Sequence, residues 1–391
     1  MNKRIYLSPP HMGGEELDYI HQAFEANWIA PLGENVDGFE DDLTSYTGVG
    51  HAAMVTTGTA AIHLGLILLG IEEGDEVICQ SFTFAASVNP IHYLNATPIL
   101  VDSEPDTWNI NPDLLEVAIK DRIKKGKKPK AIILVHLYGM PAKMKEIQKI
   151  ADQYDIPILE DSAEALGSEI EGKKCGSFGK LGVISFNGNK IITTSGGGAL
   201  LGNDEELIDG ARFYATQARG KALHYQHSQI GYNYRMSNIL AGIGRGQMKV
   251  LADRIKTRRE IHDYYFEKLG GKWLGESSNE EKLGANGKGI YFLKEPAGYK
   301  SNRWLTTIIV KPDNENGITS DHIREALEEE NIESRPLWKP MQLQPVFSKH
   351  PFYKSGVSEE IFKYGLCLPS GSNLTDDEKE RIVTTILKLY D

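Results

Sequence analysis

Leu181-Gly182-Val183-Ile184-Ser185-Phe186-Asn187-Gly188-Asn189-Lys190, followed a few residues on by Gly196-Gly197-Gly198, is the stretch around which the chain is organised. Its apolar opening reads as a buried strand, so Ser185 and Lys190 fall at or just beyond a strand end, where α/β enzymes gather their chemistry. Taken alone, a lysine there is an ordinary solvated amine. Upstream stands Ile156-Pro157-Ile158-Leu159-Glu160-Asp161-Ser162-Ala163-Glu164-Ala165, a second short apolar strand that ends in carboxylates. An acid at one strand end and a lysine at the next are what a pyridoxal-phosphate (PLP) site requires, because the acid grips the pyridine nitrogen and the amine forms the Schiff base.

Working outward, short apolar runs at 52–56, 76–79, 97–101, 131–135 and 156–159 alternate with helical patterns near 60–70, 84–94, 112–124 and 143–154. This alternation predicts βαβ units, hence an α/β large domain with a mostly parallel sheet between helices. A helical pattern at 15–26 follows an irregular arm at 5–14. Another, from 236 to 269, is long enough to connect domains. Beyond it, 275–300 is rich in Gly, Ser, Asn, Glu and Lys and reads as a surface excursion with one short strand at 289–293. A strand at 304–310, a helix at 320–330 and a closing helix at 375–390 complete a smaller α+β domain, the last capped by Thr375 and an acidic first turn. The expected division is 1–245 and 246–391.

The 391 residues carry a net charge of −11 and no long basic run, which speaks against nucleic acid or an anionic membrane as partner. Three widely spaced cysteines, Cys79, Cys175 and Cys367, suggest neither a disulfide framework nor a metal site and fit a reducing cytoplasm. The N-terminus has no apolar segment behind its charges, so no signal peptide is expected. No apolar stretch is long enough to span a bilayer as a helix.

Two further motifs bear on chemistry. Thr56-Thr57-Gly58-Thr59-Ala60-Ala61 joins a strand to a helix, and its glycine and free helix N–H groups suit a phosphate, although tight packing without a ligand suits them as well. It is neither a Walker loop nor a dinucleotide turn. Phe82, in Gln80-Ser81-Phe82-Thr83-Phe84, either stacks on a pyridine ring or packs in the core.

Together with Glu160 to Gly167, Ser185 to Lys190 and Gly231-Tyr232-Asn233-Tyr234-Arg235-Met236-Ser237-Asn238, these motifs resemble the DegT-type sugar-nucleotide aminotransferases, fold type I PLP enzymes, over nearly the whole chain. Residues 8–14, 27–33, 187–198 and 335–339 resemble the subgroup that aminates C4 of UDP-4-keto-6-deoxy-N-acetylglucosamine for UDP-bacillosamine.

The resemblance implies that Lys190 is the Schiff-base lysine and that Asp161 pairs with the pyridine nitrogen, which should pull the aspartate pKa down. Thr59, Ala60 and Ser185 would hold the cofactor phosphate, with Asn233 supplied by a second subunit, Gly58 would also contact the cofactor, and Phe82 would stack on the ring. Asn27, Trp28, Ile29, Ala30, Gly58, Arg335, Pro336, Leu337 and Trp338 would face the nucleotide sugar. Where many relatives place a glutamine or histidine, this chain has Glu164, whose pKa should be raised beside an anionic phenol oxygen. The implied enzyme is a cytoplasmic homodimer that moves an amino group from glutamate to a UDP-keto-sugar. A GDP-linked keto sugar of the perosamine type, or PLP binding without turnover, are the alternatives.

Overall fold

The computed structural model describes residues 3–275, 289–312, 314 and 316–391, so half of the expected 275–300 excursion, residues 276–288, lies outside the described residues, and the short strand expected at 289–293 is Ile290–Phe292. Eight strands form the large sheet in the order His51–Val55, Gly198–Gly202, Leu181–Ser185, Ile158–Asp161, Ala131–Val135, Glu76–Gln80, Thr97–Val101, Phe352–Tyr353. All neighbours pair in parallel except the two contacts of Gly198–Gly202, which runs antiparallel. A sheet covered on both faces needs strands apolar on both sides, and Ala131–Val135 is buried at every position.

The helix Gly58–Leu68 follows the first strand. Thr57 caps it by accepting the Ala60 N–H, and its residues are apolar on nearly all sides because it packs beneath the sheet. Gly65 permits that approach, since a Cβ there would lie 2.9 Å from Leu159 Cδ1.

The structure moves several expected boundaries. Pro157 has no N–H to give a ladder, and the strand expected at 156–159 begins at Ile158 and takes in both acids, ending at Asp161. The helix expected at 84–94 is a 3₁₀ turn, Ala85–Ser87, followed by Asn89–Tyr93, whose first turn holds Pro90. The long helix at 236–269 is two, Asn238–Lys249 and Leu251–Lys268, parted at Val250. The closing helix, Asp376–Leu387, carries the expected Thr375 cap, completed into a capping box by Glu378. The helix Glu34–Thr47 was not anticipated, although Val36, Phe39, Leu43 and Thr47 mark its buried face at helical spacing and Gly48 ends it in a left-handed conformation.

Within 246–391, a five-stranded sheet runs Lys272–Trp273, Ile290–Phe292, Thr306–Val310, Gly365–Leu368, Arg335–Pro336. Its core gathers Ile308, Val310, Ile323, Leu327 and Ile386, and also Ile5 from the N-terminal arm. The chain then crosses back: Met341 and Phe347 join the core of the large sheet, and Phe352–Tyr353 pairs with Leu100–Val101 at its edge. None of the helices among the described residues is long and apolar enough to cross a membrane.

Candidate active site

The carboxyl ends of the parallel strands open into a cavity of about 280 Å3 lined by Gly58, Thr59, Phe84, Ser87, Asp161, Glu164, Ser185, Lys190, Trp304 and Trp338, among others. Each lining group arrives by its own local rule. Asp161 and Glu160 are neighbours in one strand and so point to opposite faces. Asp161 reaches the cavity, while Glu160 turns into the core, where it accepts bonds from His136 Nε2 at 2.8 Å, Phe178 N–H at 2.8 Å, Gly179 N–H at 2.9 Å and Gly176 N–H. Cys175 completes a compact buried trio with His136 and Glu160. The His136 ring is committed at both nitrogens, because Nδ1 accepts the Ala142 N–H at 2.9 Å.

Asp161 accepts a bond from Ser87 Oγ at 2.7 Å and from the Ala163 N–H at 3.1 Å. Burial pushes its pKa above the ordinary aspartate range, and these donors, with Lys190 and His136, only partly offset the effect. The depression that the resemblance implies therefore needs a cation directly facing the carboxylate. Glu164 is raised for the same reason, burial, against the opposing pull of Lys190 and the Tyr138 N–H. That N–H donates to Glu164 Oε2 at 2.7 Å from a left-handed Tyr138 backbone (φ 53°), a conformation uncommon for a residue with a side chain.

Lys190 Nζ lies 3.6 Å from Glu164 Oε1 and 4.2 Å from the Trp304 ring centre. Its side chain is 13% exposed, so the amine is held against an acid and an aromatic face. At the other end of the cavity, Gly58 and Thr59 present the start of the Gly58–Leu68 helix beside Ser185. The Ala60 N–H is taken by Thr57 Oγ1 at 2.9 Å, which leaves Gly58 and Thr59 as the cavity-lining residues of the first turn. Gly198 lets the strands close behind this cup, as a Cβ there would meet the Thr57 carbonyl carbon at 2.4 Å.

Of the residues singled out in the sequence, Gly58, Thr59, Asp161, Glu164, Ser185, Lys190 and Trp338 come together here. Phe82 does not. It is fully buried with its ring edge-on to Tyr138, and its carbonyl is fixed by Gln80 Nε2 at 2.7 Å. The ring at the cavity is Phe84, two residues on, which leans against Trp338.

Trp28 lines a different depression with Gly33, Asn35 and Asn238, and Asn27, Ile29 and Ala30 lie beside it in the same loop. Arg335 is exposed and paired with Glu333 at 2.8 Å, Pro336 is exposed, and Leu337 is buried against Gly365. Asn233 is exposed and lies outside the cavity of its own chain. Sequence reasoning missed Ser87, 74 positions from its partner Asp161, and Trp304, whose indole N–H donates to Asn189 O, 115 positions away, at 2.8 Å. The local signal was thin: a serine three residues past Phe84 and a tryptophan just ahead of an apolar strand.

Residues 10–387 match the model of the DegT/DnrJ/EryC1/StrS aminotransferase family. The chain is 52% identical over 394 residues to EpsN of Bacillus subtilis (strain 168), to which a pyridoxal phosphate-dependent aminotransferase activity is provisionally assigned, spanning 100% of this chain and 97% of that one. It is 35% identical over 390 residues to the GDP-perosamine synthase of Escherichia coli O157:H7, spanning 99% of each. Among solved structures it superposes on a DegT DnrJ EryC1 StrS aminotransferase from Brucella abortus with a TM-score of 0.85 at 30% identity, covering 96% of this chain and 95% of that one.

Proposed function

Because the chain belongs to the DegT/DnrJ/EryC1/StrS aminotransferase family, and is thus a PLP-dependent sugar aminotransferase, we propose that it moves an amino group from glutamate to C4 of a UDP-4-keto-6-deoxy-N-acetylhexosamine. The observation that carries the catalytic part is the convergence of Lys190, Asp161 and Glu164 on one cavity that has a helix N-terminus at its other end. The residues fit PLP on chemical grounds. A buried carboxyl whose pKa burial has raised favours a cationic partner such as a protonated pyridine nitrogen, and helix N–H groups beside a serine favour a phosphate.

When bound, PLP supplies an aldehyde for covalent attachment and an electron-withdrawing ring that takes up the electron pair released at carbon. The chain supplies the rest. Asp161, fixed by Ser87 and Ala163, holds the charge that faces the ring nitrogen. Gly58, Thr59 and Ser185 bind the phosphate, and Phe84 takes the stacking role first given to Phe82. Lys190 Nζ takes a proton from the donor Cα in one half-reaction and delivers one to sugar C4 in the other, so the kinetics are ping-pong. Glu164, at 3.6 Å, is the carboxyl group that faces that amine. Trp304 holds its ring against the lysine amine, and Trp338 lines the same cavity.

The UDP-sugar reading is supported by the resemblance of residues 8–14, 27–33, 187–198 and 335–339 to the bacillosamine subgroup. A second reading, a GDP-4-keto-6-deoxymannose giving perosamine, is favoured by the 35% identity to the E. coli enzyme. Asn27 to Ala30 and Arg335 lie outside the cavity of a single chain, and in this proposal they bind the distal nucleotide within a homodimer. Leu223, Tyr225 and Ile230, at 110%, 81% and 84% exposure in the segment leading to Asn233, support a partner that covers them. A division at residue 245 into a PLP-binding and a smaller domain, and a cytoplasmic setting consistent with three buried free cysteines, belong to the same proposal.

A single-turnover experiment tests it. Glutamate should bleach the visible band of the yellow holoenzyme, and UDP-4-keto-6-deoxy-N-acetylglucosamine should restore it with formation of the 4-amino sugar. Restoration by the GDP-linked keto sugar alone would replace the first reading with the second. No bleaching by glutamate or glutamine would refute the proposed amino donor.

A further inference from the structure

Arg258 is one of the largest fully buried side chains in the molecule, 1% exposed, yet no carboxylate among the described residues pairs with it. Burial, with the neighbouring charge of Arg254, lowers its pKa to about 9, which still leaves it cationic at neutral pH. A buried, unpaired guanidinium is costly unless its hydrogen bonds do something the fold needs.

Those bonds lead to the catalytic lysine by two routes. Arg258 Nη1 donates to the carbonyl of Trp304, and Nη2 donates to Ser8 Oγ at 3.0 Å. Ser8 Oγ in turn donates to the carbonyl of Asn189 at 2.8 Å, and the Trp304 indole N–H donates to that same carbonyl at 2.8 Å. The result is a closed ring of four residues with consistent donor direction throughout. It joins the N-terminal arm, the helix Leu251–Lys268, the approach to the Thr306–Val310 strand and the lysine loop.

The Asn189 carbonyl belongs to the peptide group that leads into Lys190. The N–H of that same peptide group donates to Asn187 O at 3.0 Å. The plane from which the lysine side chain springs is therefore fixed at both edges, and the Trp304 ring that receives Nζ at 4.2 Å is fixed by the same ring of bonds. A lysine has a long, rotamer-rich stem, so its reach is set by how well its Cα is oriented.

We propose that Arg258 and Ser8 are positioning residues for Lys190, which make the N-terminal arm a working part of the active site. The inference rests on the aminotransferase reading of Lys190. One turn earlier on the same helix, Arg254 Nη2 donates to the carbonyls of His11 at 3.3 Å and Met12 at 2.9 Å, so the arm is clamped at two successive levels. Gln247 Nε2 adds a third tie, to His11 O at 3.1 Å.

Emptying a buried guanidinium site can unfold a chain, so the test is made at Ser8. Ser8→Ala removes the bridge, and Ser8→Thr keeps the hydroxyl. Each holoenzyme is read in three ways: single-turnover rate against glutamate concentration, pH titration of the visible band of the lysine-linked cofactor, and thermal midpoint. Ser8→Ala is expected to lower the maximal rate by about 10- to 100-fold, the cost of a misplaced reacting group. Its half-saturating glutamate concentration should stay within about twofold of wild type, the pattern of a loss confined to the chemical step. The titration midpoint of the band should shift, and Ser8→Thr should restore both rate and midpoint. Wild-type rate and titration in Ser8→Ala would overturn the proposal, as would equal losses in both variants that track the thermal midpoint. A wild type that shows no lysine-linked band would overturn the aminotransferase reading together with it.

Discussion

Glu160→Gln tests whether the first acid of the Glu160-Asp161 pair is part of the scaffold and not of the chemistry. One carboxylate oxygen accepts from His136 Nε2, Gly176 N–H and, at 3.3 Å, Ser162 Oγ; the other accepts from the N–H groups of Phe178 and Gly179. A glutamine amide has one acceptor oxygen, so in either orientation its NH2 group confronts at least two donors. A change of His136 tautomer gives no relief, because Nδ1 is needed by the Ala142 N–H. Two buried donors left without an acceptor cost ~1–3 kcal/mol each, or ~2–6 kcal/mol in all. At ~2.1 cal/mol/K per residue the unfolding entropy of a chain this long is ~0.8 kcal/mol/K, so the thermal midpoint should fall by ~2–7 °C at pH 7.

The sign of the pH dependence follows from the same contacts. Burial alone would raise the Glu160 pKa, but His136 and the Gly176 and Gly179 N–H groups hold it below the usual glutamate value. A depressed folded-state pKa contributes stability that is complete above the unfolded value, ~4.3, and is lost as pH falls through the folded one. The deficit of Glu160→Gln should therefore be full at neutral pH and narrow in acid. Calorimetry of the wild type and the variant across that range is the assay. A variant whose midpoint stays within about 1 °C of wild type at pH 7 would refute the hydrogen-bond reading.

Glu164→Gln should behave in the opposite sense. Burial raises the wild-type carboxyl, so its favourable contribution is present below the unfolded pKa and lost as pH rises through the folded one. The midpoint of the variant relative to wild type should climb over that window, and the pH titration of the cofactor absorbance should differ between them; identical titrations would dismiss Glu164 as a partner of the cofactor. Phe84→Ala and Phe82→Ala separate the two candidate rings. Phe84 is 54% exposed, so its loss should leave stability within ~0.5 kcal/mol of wild type while loosening PLP by ~0.5–1.5 kcal/mol, read by equilibrium dialysis. Phe82→Ala should instead cost ~3–5 kcal/mol of stability in urea unfolding, and a small cost there would contradict its place in the core.

By itself the sequence determined the alternation of strand and helix and the identity of the chemical groups. Both are local: a strand apolar at each position, a proline or glycine that stops an element, and an acid or lysine at a strand end are legible without knowing what lies across the sheet. It also yielded the Thr375 cap, since capping involves residues three apart.

What only the tertiary structure decided are the relations between distant segments. Strand alternation turns Glu160 and Asp161 to opposite faces, but which of them meets the cavity and which meets His136, Phe178 and Gly179 in the core depends on the elements packed on either side. Phe82 and Phe84 have the same chemistry and nearly the same position; Phe82 is buried edge-on to Tyr138, while Phe84 leans on Trp338 at the cavity, and both partners come from distant segments. Ser87 on Asp161, Trp304 on Asn189 and Arg258 on Ser8 are pairings across 74, 115 and 250 positions. No local propensity encodes such contacts, because they form only when packing has brought the elements together and a buried donor left without an acceptor is costly.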